Sequence, residues 1–194
     1  MTNMSSTVRF RLPISRFAAD SRGVSAVEFA MLLPIMITLF FGTIELSSGL
    51  AISRKVTLTA HTVADLASQP ASLTAADITD ILNASSAIMA PFASNPPAAK
   101  DQAKSLKIVL TCISVDANGI ATVAWSDALN GTPLGKGSGV SLPSALNVKN
   151  SGMLLGQVTT TYTPTFASNL IGVTTITDQA YLAPRKQMTC PTHP

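Results

Sequence analysis

Val24–Ile52 reads VSAVEFAMLLPIMITLFFGTIELSSGLAI, and its only charged residues are Glu28 and Glu45. Within it, Phe29–Ile44 runs sixteen residues without a charge. Crossing the hydrocarbon of a bilayer takes ~20 mostly apolar residues in a helix, because no water is present there to satisfy an open backbone. The run is long enough. Pro34 and Gly42 are compatible with a spanning helix, Pro34 at the cost of a kink. Arg9, Arg11, Arg16 and Arg22 precede it, and downstream the nearest basic residues are Arg54 and Lys55. That asymmetry predicts a cytoplasmic N-terminus and an exported C-terminal part. A cleaved secretory signal ending near Gly49-Leu50-Ala51 is one alternative, but the apolar core exceeds the ~7–15 residues of a signal core. A buried helix of a soluble protein is another. Nothing else in the chain forms an equally long apolar partner, and the basic leader would be unexplained.

Outward from this segment, the composition is weakly charged. Charged residues make up 12% of the 194 residues, against roughly 25% in an average soluble domain. The net charge of +3 is local: residues 1–23 hold four arginines against Asp20, and the remainder balances nine basic with nine acidic side chains. No basic face is left for nucleic acid, and nucleic acid is excluded as a partner.

Ahead of the apolar run stands Arg22-Gly23-Val24-Ser25-Ala26-Val27-Glu28-Phe29. A basic stretch, a glycine, a small apolar stretch and a glutamate five residues after the glycine together resemble the processing site of type IV prepilin-like proteins. The resemblance implies cutting between Gly23 and Val24 by a membrane-embedded prepilin peptidase, which leaves Val24 as the new amine and Glu28 as the fifth mature residue. Glycine is the least hindered residue for a protease that must approach the backbone. A carboxylate in lipid is costly unless paired, and the amine of a neighbouring subunit is a fitting partner. A solvated Glu28 at the cytoplasmic interface is the plainer alternative. Glu45, one turn before Ser47-Ser48, reads as an interfacial residue at the outer end.

The segment from Arg22 to Ser68 resembles the TadE-like family of tight-adherence pilus proteins. The residues carrying the resemblance are Arg22-Gly23, Ala26-Val27-Glu28-Phe29-Ala30, Leu33-Pro34, Gly42, Glu45 and Val63-Ala64-Asp65-Leu66-Ala67. It implies one span with an exported head, acting as a minor pilin or pseudopilin in the bacterial inner membrane. Glu28 and Phe29 would set assembly register, and the partners would be membrane lipid, the prepilin peptidase and other pilus assembly proteins. A membrane-tethered binding module of the envelope, outside any pilus, is the alternative function.

Past the span, Val56, Ala60, Val63 and Ala67 recur at helical spacing and predict a helical stalk that stops at Gln69-Pro70. Thr74-Ala75-Ala76-Asp77 is a capping box for a second amphipathic helix, closed by Asn95-Pro96-Pro97. Four β segments follow: Ser105–Asp116, Ile120–Ser126 across the Asn118-Gly119 turn, Met153–Tyr162 and Thr174–Leu182. Asp127–Gly152 reads as a long loop, and Thr159–Thr165 as exposed or edge β sequence ended by Pro164. The fold expected is α+β: a basic leader (1–23), a transmembrane helix (24–52), a stalk (53–68) and an exported head (69–194) with one further helix and an antiparallel sheet of about four strands.

Cys112 and Cys190 stand 78 positions apart with no clustered histidines or cysteines, so a metal site is not indicated. If the head is exported, a disulfide is the natural pairing, contributing roughly 4 kcal/mol by loop entropy. Two unpaired buried thiols are the alternative. No nucleophile elbow, Walker loop, zinc-binding helix or paired-carboxylate motif occurs, and neither His61 nor His193 has a catalytic neighbour in sequence. No cofactor and no enzyme activity are expected.

Overall fold

The computed structural model describes residues 23–90, 106–166 and 172–193. The basic leader with Arg22, and the Asn95-Pro96-Pro97 linker, lie outside the described residues. Helix α1 covers Val24–Ser68 without interruption, through Pro34. The chain divides into two compact units between Thr43 and Ile44.

In the first unit the helix carries its apolar side chains on the outside all round; Val27, Met31, Leu39 and Phe40 are all more than half exposed. Its hydroxyls turn inward on the backbone. Thr38 donates to the Pro34 carbonyl and Thr43 to the Leu39 carbonyl, both at 2.8 Å. Back-bonding of this kind satisfies a hydroxyl where water is absent.

The second unit packs the rest of α1 and helix α2 (Ala75–Ile88) against a four-stranded antiparallel sheet. The strands are β1 (Lys107–Val115), β2 (Ala121–Leu129), β3 (Ser151–Tyr162) and β4 (Thr174–Leu182), in the order β2-β1-β3-β4. The stretch 53–68 is helical as expected, and it is also packed. Val56, Ala60, Val63, Ala64 and Ala67 are fully buried. The core that Val56, Ala60, Val63 and Ala67 join includes Ile108, Leu110, Cys112, Trp125, Leu154 and Val158 from one sheet face. Gly156 of β3 permits the close approach. A Cβ there would lie 2.5 Å from the Ala60 carbonyl oxygen and 3.3 Å from the Ala64 Cβ. Small residues on the helix and a glycine on the strand bring the backbones together.

β2 runs to Leu129, three residues beyond the expected end at Ser126, because Asp127, Ala128 and Leu129 pair with Leu110, Val109 and Ile108. Its register slips opposite Cys112/Ile113. A bulge of this kind resets which face a side chain meets: Ala121 belongs to the core of one face and Trp125 to that of the other. The 130–150 connection bonds to β2's outer edge, through Val123 N–H to Ser138 O (2.9 Å) and Val140 N–H to Ala121 O (3.0 Å). It also brings Val140 and Leu142 onto the second sheet face, against Ile113, Val115 and Leu155. β3 is an inner strand. Beyond Thr159 it pairs with β4 alone, so the edge character read in the threonine run holds for Thr160–Tyr162.

α2 begins with the expected capping box. The Asp77 N–H donates to Thr74 Oγ1 at 3.2 Å, and the Thr74 N–H donates to Asp77 Oδ2 at 2.8 Å. The Thr74 hydroxyl also donates to Asp77 Oδ2 at 2.7 Å, and that bond first, then the one from the Thr74 N–H, hold the Asp77 carboxyl below its usual pKa. The C-terminal tail straps the unit. Cys190 is bonded to Cys112, with their Cα atoms 5.9 Å apart. Leu73 N–H donates to Thr192 O (2.9 Å), and the Trp125 indole N–H to Pro191 O (2.9 Å).

Candidate functional site

The apolar half of α1 is the first candidate. It belongs to the one helix, among the described residues, that is long and apolar enough to cross a membrane, and no part of its most apolar window is buried. Gly23 is exposed, directly before the first helical residue, Val24, and a Cβ on it would meet nothing within 4 Å. Glu28 lies exposed in the second turn, and Phe29 beside it is 57% exposed. Among the described residues Glu28 makes no hydrogen bond or ion pair. The structure thus brings Gly23, Val24, Glu28 and Phe29 together only as neighbours along a helix.

Residues 23–65 match the family model of TadE-like proteins. The TadE-like segment opens on Gly23, covers the apolar run and ends at Asp65, so α2, the sheet and the disulfide lie outside it. No curated protein and no solved structure matches the chain. The TadE-like match points to a protein associated with tight-adherence pili, acting with other pilus proteins. The long apolar helix points to a single-pass membrane anchor.

The second carboxylate of the TadE-like segment has a different setting. Glu45 is only 9% exposed. The Tyr162 hydroxyl donates to its Oε2 and the Phe166 backbone N–H to its Oε1, each at 2.5 Å. Burial first, and then the neighbouring Glu45 carboxylate, push the Tyr162 phenol up to about 12. By sequence alone Glu45 is an interfacial residue with no partner. Both partners lie more than a hundred positions away, beyond the reach of any local pattern. The clue available was the cost of a carboxylate at the end of an apolar run, which demands donors from somewhere.

At the far end of the TadE-like segment Asp65 forms an ion pair with Arg185, whose N–H bonds the Ser68 carbonyl. His61 is exposed on α1. His193, isolated in sequence, stacks on Trp125 with ring centroids 5.1 Å apart, and its Nε2 lies 2.9 Å from Asp127 Oδ2. Beside the tail a groove of about 200 Å³ is lined by residues including Val148, Met153, Pro184 and Met188, with no ionisable side chain among its walls. Among the described residues no three His, Cys, Asp or Glu gather as metal ligands.

Proposed function

We propose that this chain is a membrane-anchored assembly protein of a tight-adherence pilus, a minor pilin or pseudopilin. Its N-terminus would face the bacterial cytoplasm and its sheet-bearing head the outside of the inner membrane. The observation that carries the reading is the TadE-like match over residues 23–65, which takes in a stretch of α1 whose most apolar window is not buried by any of the described residues. An uncovered apolar helix needs either lipid or other helices around it. A prepilin peptidase cuts between Gly23 and Val24. The Val24 amine so released pairs with Glu28 of an adjacent subunit, and Phe29 packs in the same register. The exposure of Gly23 and the lack of a partner for Glu28 within the described chain support that scheme.

Mass spectrometry of the membrane form is expected to find Val24 as the N-terminal residue. An intact leader in a strain that makes pili would overturn the processing step. Glu28→Ala is expected to leave membrane insertion unchanged and to impair pilus assembly; pili at the normal level in that strain would remove the register role.

A further inference from the structure

We propose that the head is closed by thiol–disulfide exchange in a fixed order. Cys190 is the thiol that an oxidised dithiol protein engages first, Cys112 is the thiol that resolves the mixed disulfide, and Gly152 is the seat that receives the tail. The two halves of the disulfide lie in unlike places. Cys112 is on β1, an inner strand with β2 on one side and β3 on the other, and it has no exposed surface. It belongs to the core formed with Val56, Ala60 and Val63 of α1. Cys190 follows the end of β4 in an irregular tail, where it is partly exposed and comes directly after the exposed Met188 and Thr189. Exchange needs three sulfurs in reach of one another: the attacking one, the attacked one and the leaving one. A partner of protein size meets that demand at a tail not yet bonded, and fails to meet it on the floor of a core.

The tail reaches Cys112 because β3 leaves room for it. The Gly152 N–H donates to Met188 O at 2.5 Å. A Cβ on Gly152 would stand 2.3 Å from Cys190 N and 2.6 Å from the Thr189 carbonyl carbon. Only glycine allows one backbone to pass so close to another. Gly152 pairs with Ser114 on β1, on the same strand as Cys112 and close to it, so the seat lies beside the thiol to be reached. In the first step the Cys190 thiolate attacks one sulfur of the partner's disulfide; that S–S bond breaks, and the partner's second sulfur leaves as a thiolate. With the tail seated, the Cys112 thiolate attacks Cys190 Sγ, the bond to the partner breaks, and the Cys112–Cys190 bond forms. The thiols of the head lose their protons and an electron pair, and the partner's disulfide becomes a dithiol. An oxidising compartment supplies such partners, which ties their encounter to the export proposed above; the order comes from the fold alone.

The test uses the full-length chain in detergent, reduced and then offered glutathione disulfide, a probe far smaller than a protein and so the stricter one. Samples blocked with N-ethylmaleimide at early times and cut after Lys107, Lys136 and Lys186 carry the two cysteines on separate peptides. Glutathione is expected first on the Cys190 peptide. In single-thiol chains, Cys190 of Cys112→Ser is expected to react about tenfold faster than Cys112 of Cys190→Ser, and the two rates should converge in urea. Equal rates in the folded chains, or glutathione first on Cys112, would overturn the order. The peptide map needs no variant, so it decides the order even where a serine variant fails to fold. Gly152→Ala is expected to leave the first step at its normal rate and to slow release of glutathione by about tenfold. Closure as fast as in the unsubstituted chain would remove Gly152 as the seat. So would a raised rate at Cys112, the sign of a head merely loosened. Export plays no part in this reaction, so failure of the order and failure of the export reading are told apart.

Discussion

One continuous helix lives in two environments. From Val24 to Phe40 its apolar residues occupy every side and are exposed; from Ile52 to Ser68 they form a stripe, and that stripe is buried on a sheet. The backbone hydrogen bonding is the same in both halves, so the difference lies in the distribution of side chains around the helix. A helix apolar all round has no side to turn to water and calls for lipid or other helices, whereas a stripe calls for one protein surface. The two glutamates repeat the contrast. Glu28, in the first half, has no partner within the described chain, and Glu45, just past the division, accepts from the Tyr162 hydroxyl and the Phe166 N–H.

The contrast can be broken by placing a charge in each half. Val63→Asp puts an unpaired charge into a fully buried position and is expected to cost more than about 4 kcal/mol, enough to abolish the thermal transition of the head. Leu39→Asp is expected to leave that transition in place and to penalise membrane insertion by about 3 kcal/mol instead; melting in detergent and alkaline extraction of membranes read the two effects. If both variants destabilised the head equally, the two halves would not be distinct.

Glycines sharpen it next. Gly156→Val drives a side chain into the Ala60 carbonyl and should cost about 3 kcal/mol, seen as a lowered urea midpoint. Gly42→Val, with open space around the position, should leave the midpoint unchanged. Among the carboxylates, Glu45→Ala strips the Tyr162 hydroxyl and the Phe166 N–H of their acceptor and should cost about 1–3 kcal/mol. Glu28→Ala should not alter head stability. An unshifted melting curve for Glu45→Ala would show that the carboxylate is a bystander.

The pH dependence follows from the same pair. The Tyr162 phenol is raised in the folded protein, so its contribution is fully present below the unfolded value of about 10. It is lost as pH rises through about 12. Alkaline titration should therefore show destabilisation in that window, and Tyr162→Phe should remove that part of it. At the acid end the sign is reversed. Asp77 is lowered by its cap bonds, so its contribution is present above the ordinary carboxylate range and fades as pH falls below it. The smallest effect expected is that of Thr74→Ala, about 1 kcal/mol from the lost cap, read from the same urea curves.

What the amino-acid sequence determined by itself was the set of features that depend on neighbours along the chain. The apolar run, the capping box at Thr74, the Asn118-Gly119 turn and the strand Thr174–Leu182 are all governed by hydrogen bonds or periodicities a few residues long, and they stand in the structure where the pattern put them. Tertiary structure decided whatever needed partners from far away. Cross-strand pairing carried β2 on to Leu129, and a bulge turned Trp125 toward the helix face. Gly156, unremarkable in sequence, became the point where helix and sheet touch. Glu45 acquired its donors from the hairpin only because the sheet packs on the same helix that carries the carboxylate, and the free energy of such a contact belongs to the pair and is invisible in either segment alone.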